Sequence, residues 1–165
     1  METSDMTNTQ TTPATAANPD VAAATAQFLT PVVLGLQALA VNGKQAHWNV
    51  RGANFIAIHE LLDSVVAHAL AGADQAAERI VALGLPIDAR VGTVAQKTST
   101  AVPAGFTQWD ALIRNVISDM DTVIADTQAA IDGLDEFDLT SQDIAIGIKE
   151  SLEKDRWFLF AHLAE

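Results

Sequence analysis

The chain has 165 residues, 49% of them hydrophobic, with no cysteine and no tyrosine. Nine Lys and Arg stand against 21 Asp and Glu, a net charge of −12. That length suits one domain with a real core. The missing thiols exclude disulfides, thiolate metal sites and thiol nucleophiles. The charge repels nucleic acid and anionic membranes and favours cations.

Residues 1–20 are rich in Thr, Ala and Asn, carry Glu2, Asp5 and Asp20, and hold no Lys or Arg. They have no apolar period and read as a disordered acidic tail. METSDMTNTQ lacks the basic and apolar segments of a signal peptide, and no apolar run reaches the ~20 residues that span a bilayer. A cytoplasmic chain without membrane contact is expected.

Residues 21–165 read as one all-α domain. In the first helix, about Val21 to Val50, Phe28, Val32, Val33, Leu36, Leu39 and Ala40 recur at helical spacing. Pro31 either opens this helix after a Thr30 cap or kinks a longer one. Arg51-Gly52-Ala53 is a break, and Asn54 caps a second helix that runs from Phe55 to about Leu83 and stops at Gly84. Residues 85–106 form a long loop, in which Thr93 caps a short helix over 94–97. The third helix runs from Thr107 or Gln108 to Gly133. After the acidic turn of Asp135, Glu136 and Asp138, the fourth opens with Thr140 or Ser141 as cap and Asp143 in its first turn. Four long helices with one long crossover predict a ferritin-like four-helix bundle, with a short extra helix between the second and third.

The second helix carries the chemistry. On a helical wheel with His59 at the origin, Asp63, Asp74 and Glu78 all fall within roughly 100° of it. His59/Asp63 and Asp74/Glu78 are i, i+4 pairs, so each pair can converge on one ion. The pairs cannot meet within one helix, because fifteen residues put His59 and Asp74 about 22 Å apart at ~1.5 Å per residue. They can meet across two antiparallel copies: His59 and Glu78 are centred midway between His68 and Ala69, and so are Asp63 and Asp74. A two-fold axis at that point creates two identical sites. Ala67, Leu70 and Ala71, mostly small, lie near it. His47, brought close by the short turn, is a further ligand. Two imidazoles and three carboxylates with open positions suit Fe(II), Mn or Zn better than Ca or Cu(I). An iron site of this kind can hold two ions and pass electrons to an oxidant. The same ligands could instead activate water for a metal-dependent hydrolase, and a nucleoid-compacting structural role is a third reading that the charge opposes. His68 lies roughly 130° from the ligand face on the wheel and is expected inside the bundle, a structural residue like His162.

HWNVRGANFIAIHELLD followed by DQAAER resembles the metal motif of the Dps family (DNA-binding proteins from starved cells), the ferritin-like mini-ferritins. His47, His59, Asp63, Asp74 and Glu78 occupy every ligand position of that motif, and GKQAHWNVRG, AERIVALG and EKDRWFLFAHL are also similar. The resemblance covers about residues 28 to 163. It implies a twelve-subunit homo-oligomeric shell and ferroxidase sites shared between two subunits. There Fe(II) is oxidised by hydrogen peroxide, less well by oxygen, and stored as ferric mineral, which protects against oxidative stress. It further implies a catalytic-site role for Trp48, and makes Trp48 and Trp157 candidates for quenching stray radicals; both also read as core aromatics. It implies acidic three-fold pores, to which Asp138 and Asp143 correspond, with Glu136 a weaker match. Asp143 also reads as a helix-dipole residue and Asp138 as a turn former.

The chain departs from the family's name in charge. Residues 1–20 carry −3, and Leu163-Ala164-Glu165 adds no basic residue. Assembled shells of such chains should leave duplex DNA unretarded in a gel shift at physiological salt. Retardation at low salt without divalent cations would contradict this.

Overall fold

The computed structural model describes residues 18–164. Most of the expected acidic tail, residues 1–17, lies outside that range. The helical part begins earlier than the sequence pattern suggests. Helix α1 spans Pro19–Asn49, with Pro19 in its first turn and the Asn18 side chain accepting from the Asp20 amide at 2.8 Å. Asn18-Pro19 is a helix-start signal, and it moves Pro19 and Asp20 out of the tail. Pro31 lies inside α1, and the Thr30 hydroxyl donates back to the Ala26 carbonyl at 2.6 Å, so Thr30 caps nothing. Buried Leu29, Val32, Val33 and Leu36 on both sides of Pro31 hold the helix together where the backbone lacks a donor.

Helix α2 spans Phe55–Ala82 and ends as expected at Gly84, whose φ of 94° favours glycine. Asn54 stands at its N-cap position without a side-chain hydrogen bond. The short helix α3 spans Val91–Lys97, longer than expected. Thr93 is inside it, and its hydroxyl donates to Asp88, which also accepts from the Arg90 guanidinium at 2.8 and 2.9 Å. The organising residue of this crossover is therefore Asp88, not Thr93. Helix α4 spans Trp109–Leu134 and α5 spans Leu139–Ala161. α1 packs on α2 and α4, and α5 packs on α4 and α2, giving a four-sided bundle. Its core is Leu29, Leu36, Ile58, Leu62, Ile80, Leu112, Ile113, Met120, Leu152 and Leu159. By length and composition α1 and α2 could each cross a membrane, contrary to the sequence expectation. The apolar stripe of α1 is instead spent on the core.

Two short strands were not foreseen. β1 (Val50–Arg51) pairs in parallel with β2 (Thr107–Gln108), tying the turn after α1 to the end of the crossover. Gly52, at φ 115°, carries the turn, and a Cβ there would sit 2.7 Å from the Gln108 and Trp109 side chains. The Arg51 guanidinium lies 3.4 Å over the Phe106 ring and closes the same junction.

The α5 cap also differs from expectation. Asp138 is the N-cap, accepting from the Ser141 amide at 3.2 Å and from the Arg79 guanidinium at 2.6 Å, while Ser141 is buried and shares its hydroxyl with Thr25. Asp143 falls beyond the first turn. Partial burial pushes the Asp138 carboxyl up, but Ser141 and Arg79 together outweigh it and hold it below the usual carboxylate range. Asp138→Ala should lose about 2 kcal/mol at neutral pH, through the cap and the stranded Arg79. A depressed folded pKa stabilises above the unfolded value of about 3.9 and is lost as pH falls through the folded value. Denaturant melts of wild type and variant should therefore converge as the pH is taken below about 4.

Candidate metal centre

The end of α1 and the start of α2 are joined by two imidazoles. His47 Nδ1 donates to the His59 carbonyl at 2.7 Å, and His59 Nδ1 donates to the His47 carbonyl at 2.9 Å. The rings stack with centroids 3.6 Å apart, and Phe55 lies 5.1 Å from His59 on its other side. With both Nδ1 protons used on backbone, each neutral ring keeps Nε2 as its free lone pair, the arrangement of metal-binding histidines. His47 Nδ1 also lies 3.2 Å from Asp63 Oδ1. The shorter bond to the His59 carbonyl takes the proton, so Asp63 is a neighbour rather than a second acceptor.

Asp63 is half-exposed and accepts from the Lys44 ammonium. That hydrogen bond holds its carboxyl below the usual carboxylate range; slight burial works against it, and the charge of Lys44, joined by His47 and His59 when those rings are protonated, reinforces it. Asp74 and Glu78 are exposed and meet no cation among the described residues. Among those residues, no three His, Asp or Glu side chains gather in one chain closely enough to hold a metal ion. A groove of about 700 Å³ beside Pro31, Lys97 and Asp126 contains none of these side chains. The candidate site is an open helix face.

Exposure adds Ile56 and Val81 to Leu70 on this face. Ile56, Leu70 and Val81 are 61%, 53% and 55% exposed, and all three share the ligand face of α2. Ile56 and Val81 are centred on the same point between His68 and Ala69 as the ligand pairs. Their signal was present in the sequence: apolar residues on a face that already carries charges. Lys44, three residues before His47, was also missed.

The structure corrects two expectations, on His68 and on the two tryptophans. His68 is not inside the bundle: its side chain is 50% exposed, and Nδ1 donates to buried Asp155 at 2.8 Å. Trp48 and Trp157 are 65% and 62% exposed, so neither is a core aromatic. Asp138 is committed to Arg79 and Ser141, whereas Asp143 and Glu136 are exposed. His162 stands at the C-cap of α5.

Comparison with known proteins gives this geometry a family. The ferritin-like domain matches residues 32–165, which defines the class. The DNA protection during starvation protein of Agrobacterium fabrum is 36% identical over 77% of this chain and 80% of its own length. That of Mycolicibacterium smegmatis is 35% identical over 73% of this chain, which spans 66% of that relative's length. The structure of Dps from Microbacterium arborescens in the high iron form superposes with a TM-score of 0.89 at 74% identity, covering 90% of this chain and 98% of that one. Within the ferritin-like class, the chain belongs to the Dps family.

If α2 meets an antiparallel copy of itself, Leu70→Arg brings two cations together near the axis. Light scattering should then show smaller species with helical circular dichroism retained. An unchanged mass would argue against this face as the contact.

Proposed function

We propose that the protein is an iron-storing ferroxidase, active at sites shared by two antiparallel α2 helices. His47, His59 and Asp63 of one chain face Asp74 and Glu78 of the partner subunit. Two Fe(II), one H2O2 and two protons give two Fe(III) and two waters, so peroxide is consumed as a two-electron acceptor without releasing hydroxyl radical. Fe(III) then moves into a twelve-subunit shell as mineral. The observation that carries the proposal is the reciprocal His47–His59 hydrogen bonding, which leaves two Nε2 lone pairs beside a carboxylate. The uncompensated Asp74 and Glu78 on the same helix face support it. So does the 74% identical Dps described in a high iron form.

Asp143 is the pore carboxylate we favour, because Asp138 is neutralised by Arg79. Trp48, exposed and next in chain to His47, is placed to intercept stray radicals. The relatives' printed role, DNA protection, is met here by removing iron and peroxide rather than by binding DNA. Lys44, Arg79, Arg90, Lys149 and Arg156 are all in ion pairs with acidic partners, which leaves few cations for phosphates.

Anaerobic Fe(II) loading followed by peroxide should give a rapid rise in ferric absorbance. The His47→Ala/His59→Ala double variant should lose at least about 90% of that rate, an effect of roughly 1.4 kcal/mol or more. Unchanged oxidation in the double variant rejects the site.

A further inference from the structure

We propose that Lys44 is a built-in competitor for the metal. Its ammonium holds Asp63 while the site is empty, exchanges with the incoming cation, and returns as oxidised iron leaves. The inference rests on the iron-site reading above.

Lys44 sits on α1 one turn before His47, and Asp63 sits on α2 one turn after His59. The helix pair thus sets the ammonium against Asp63 Oδ1, the oxygen that also lies beside the His47 ring. The pair is not needed to hold α1 on α2. Buried Leu36, Leu39, Ile58 and Leu62 and the two histidine–carbonyl bonds already do that. In the single chain both partners stand at the water's edge, 38% and 49% exposed, where an ion pair is weak enough for a divalent cation to displace.

The charge count gives the exchange a purpose. Asp63, with Asp74 and Glu78 of the partner subunit, supplies three negative charges. Lys44 offsets one of them while the site is empty, and an arriving divalent ion takes its place. Oxidation adds a positive charge to the metal while the ammonium stays within reach, so repulsion is greatest for the product. A carboxylate with its own resident cation therefore holds iron less tightly than a bare one would, and that weakening is larger for ferric than for ferrous iron. A store that must pass iron onward needs that weakness. Arg, Gln and Met at this position separate the charge from the side chain's bulk.

The test uses assembled protein and Co(II), a divalent probe that does not turn over, followed by calorimetry and by cobalt absorbance. Lys44→Gln and Lys44→Met should bind Co(II) about two- to fivefold more tightly than wild type, the range an exposed ion pair is worth. Lys44→Arg should stay near wild type. After one round of Fe(II) oxidation, the neutral variants should retain Fe(III) and re-bind Co(II) more slowly. Equal or weaker Co(II) binding in both neutral variants, with melting unchanged, overturns the role of Lys44. If wild-type Co(II) binding is not weakened by Asp63→Asn or His59→Ala, the metal-site reading itself falls, and the proposal with it.

Discussion

Two hydrogen bonds organise this molecule's chemistry: His47 to the carbonyl of His59, and His59 to the carbonyl of His47. Each fixes a tautomer, because an imidazole that spends its Nδ1 proton on backbone has only Nε2 left as a base. Together they also fix the angle at which α2 leaves α1, since each ring is held by the other's backbone. The junction below them is reinforced by the β1–β2 pairing, Gly52 and the Arg51–Phe106 stack. A turn so heavily braced is not needed merely to reverse the chain. It holds two imidazole Nε2 atoms in place, as the iron site we propose requires.

The rest of α2 serves three neighbours at once. Ile58, Leu62, Val65, Ala69, Ala76 and Ile80 face the bundle core. His59, Asp63, Asp74 and Glu78, with Ile56, Leu70 and Val81, face away from it. His68 occupies the opposite flank and reaches Asp155 of α5. Exposed aliphatic residues interleaved with uncompensated carboxylates make a poor solvent face, because the apolar area gains nothing from water. As a contact between copies the same face makes sense: the aliphatic residues are covered, and the carboxylates find a cation.

The errors of the sequence reading have local causes. His68 was placed by its angle from the ligands, and roughly the same angle leads to the core in one direction and to the α5 flank in the other. The apolar stripe of α2 itself would have told them apart. Thr140 and Ser141 are good caps, but Asp138 wins because Arg79, distant in sequence, fixes its carboxylate. Asp88 organises the crossover through Arg90 and Thr93, whose side chains close on it only once the loop is bent. Pro31 ends no helix because core contacts on both sides of it offset one missing hydrogen bond. Trp48 and Trp157 looked like core aromatics by composition, and composition carries no direction.

By itself the sequence determined the helices, their order, the bundle and which side chains share one face of α2, because helical periodicity and i, i+4 spacing are local properties of the chain. It also determined that no single α2 could close a metal site, since helix rise alone separates the two pairs. Only the tertiary structure decided which imidazole nitrogens are free, that Lys44 holds Asp63, that Asp138 is spent on Arg79, and that Ile56, Leu70 and Val81 remain uncovered. Each of these depends on contacts between residues far apart in the chain. Such contacts are set by how the helices pack, which no local spacing specifies.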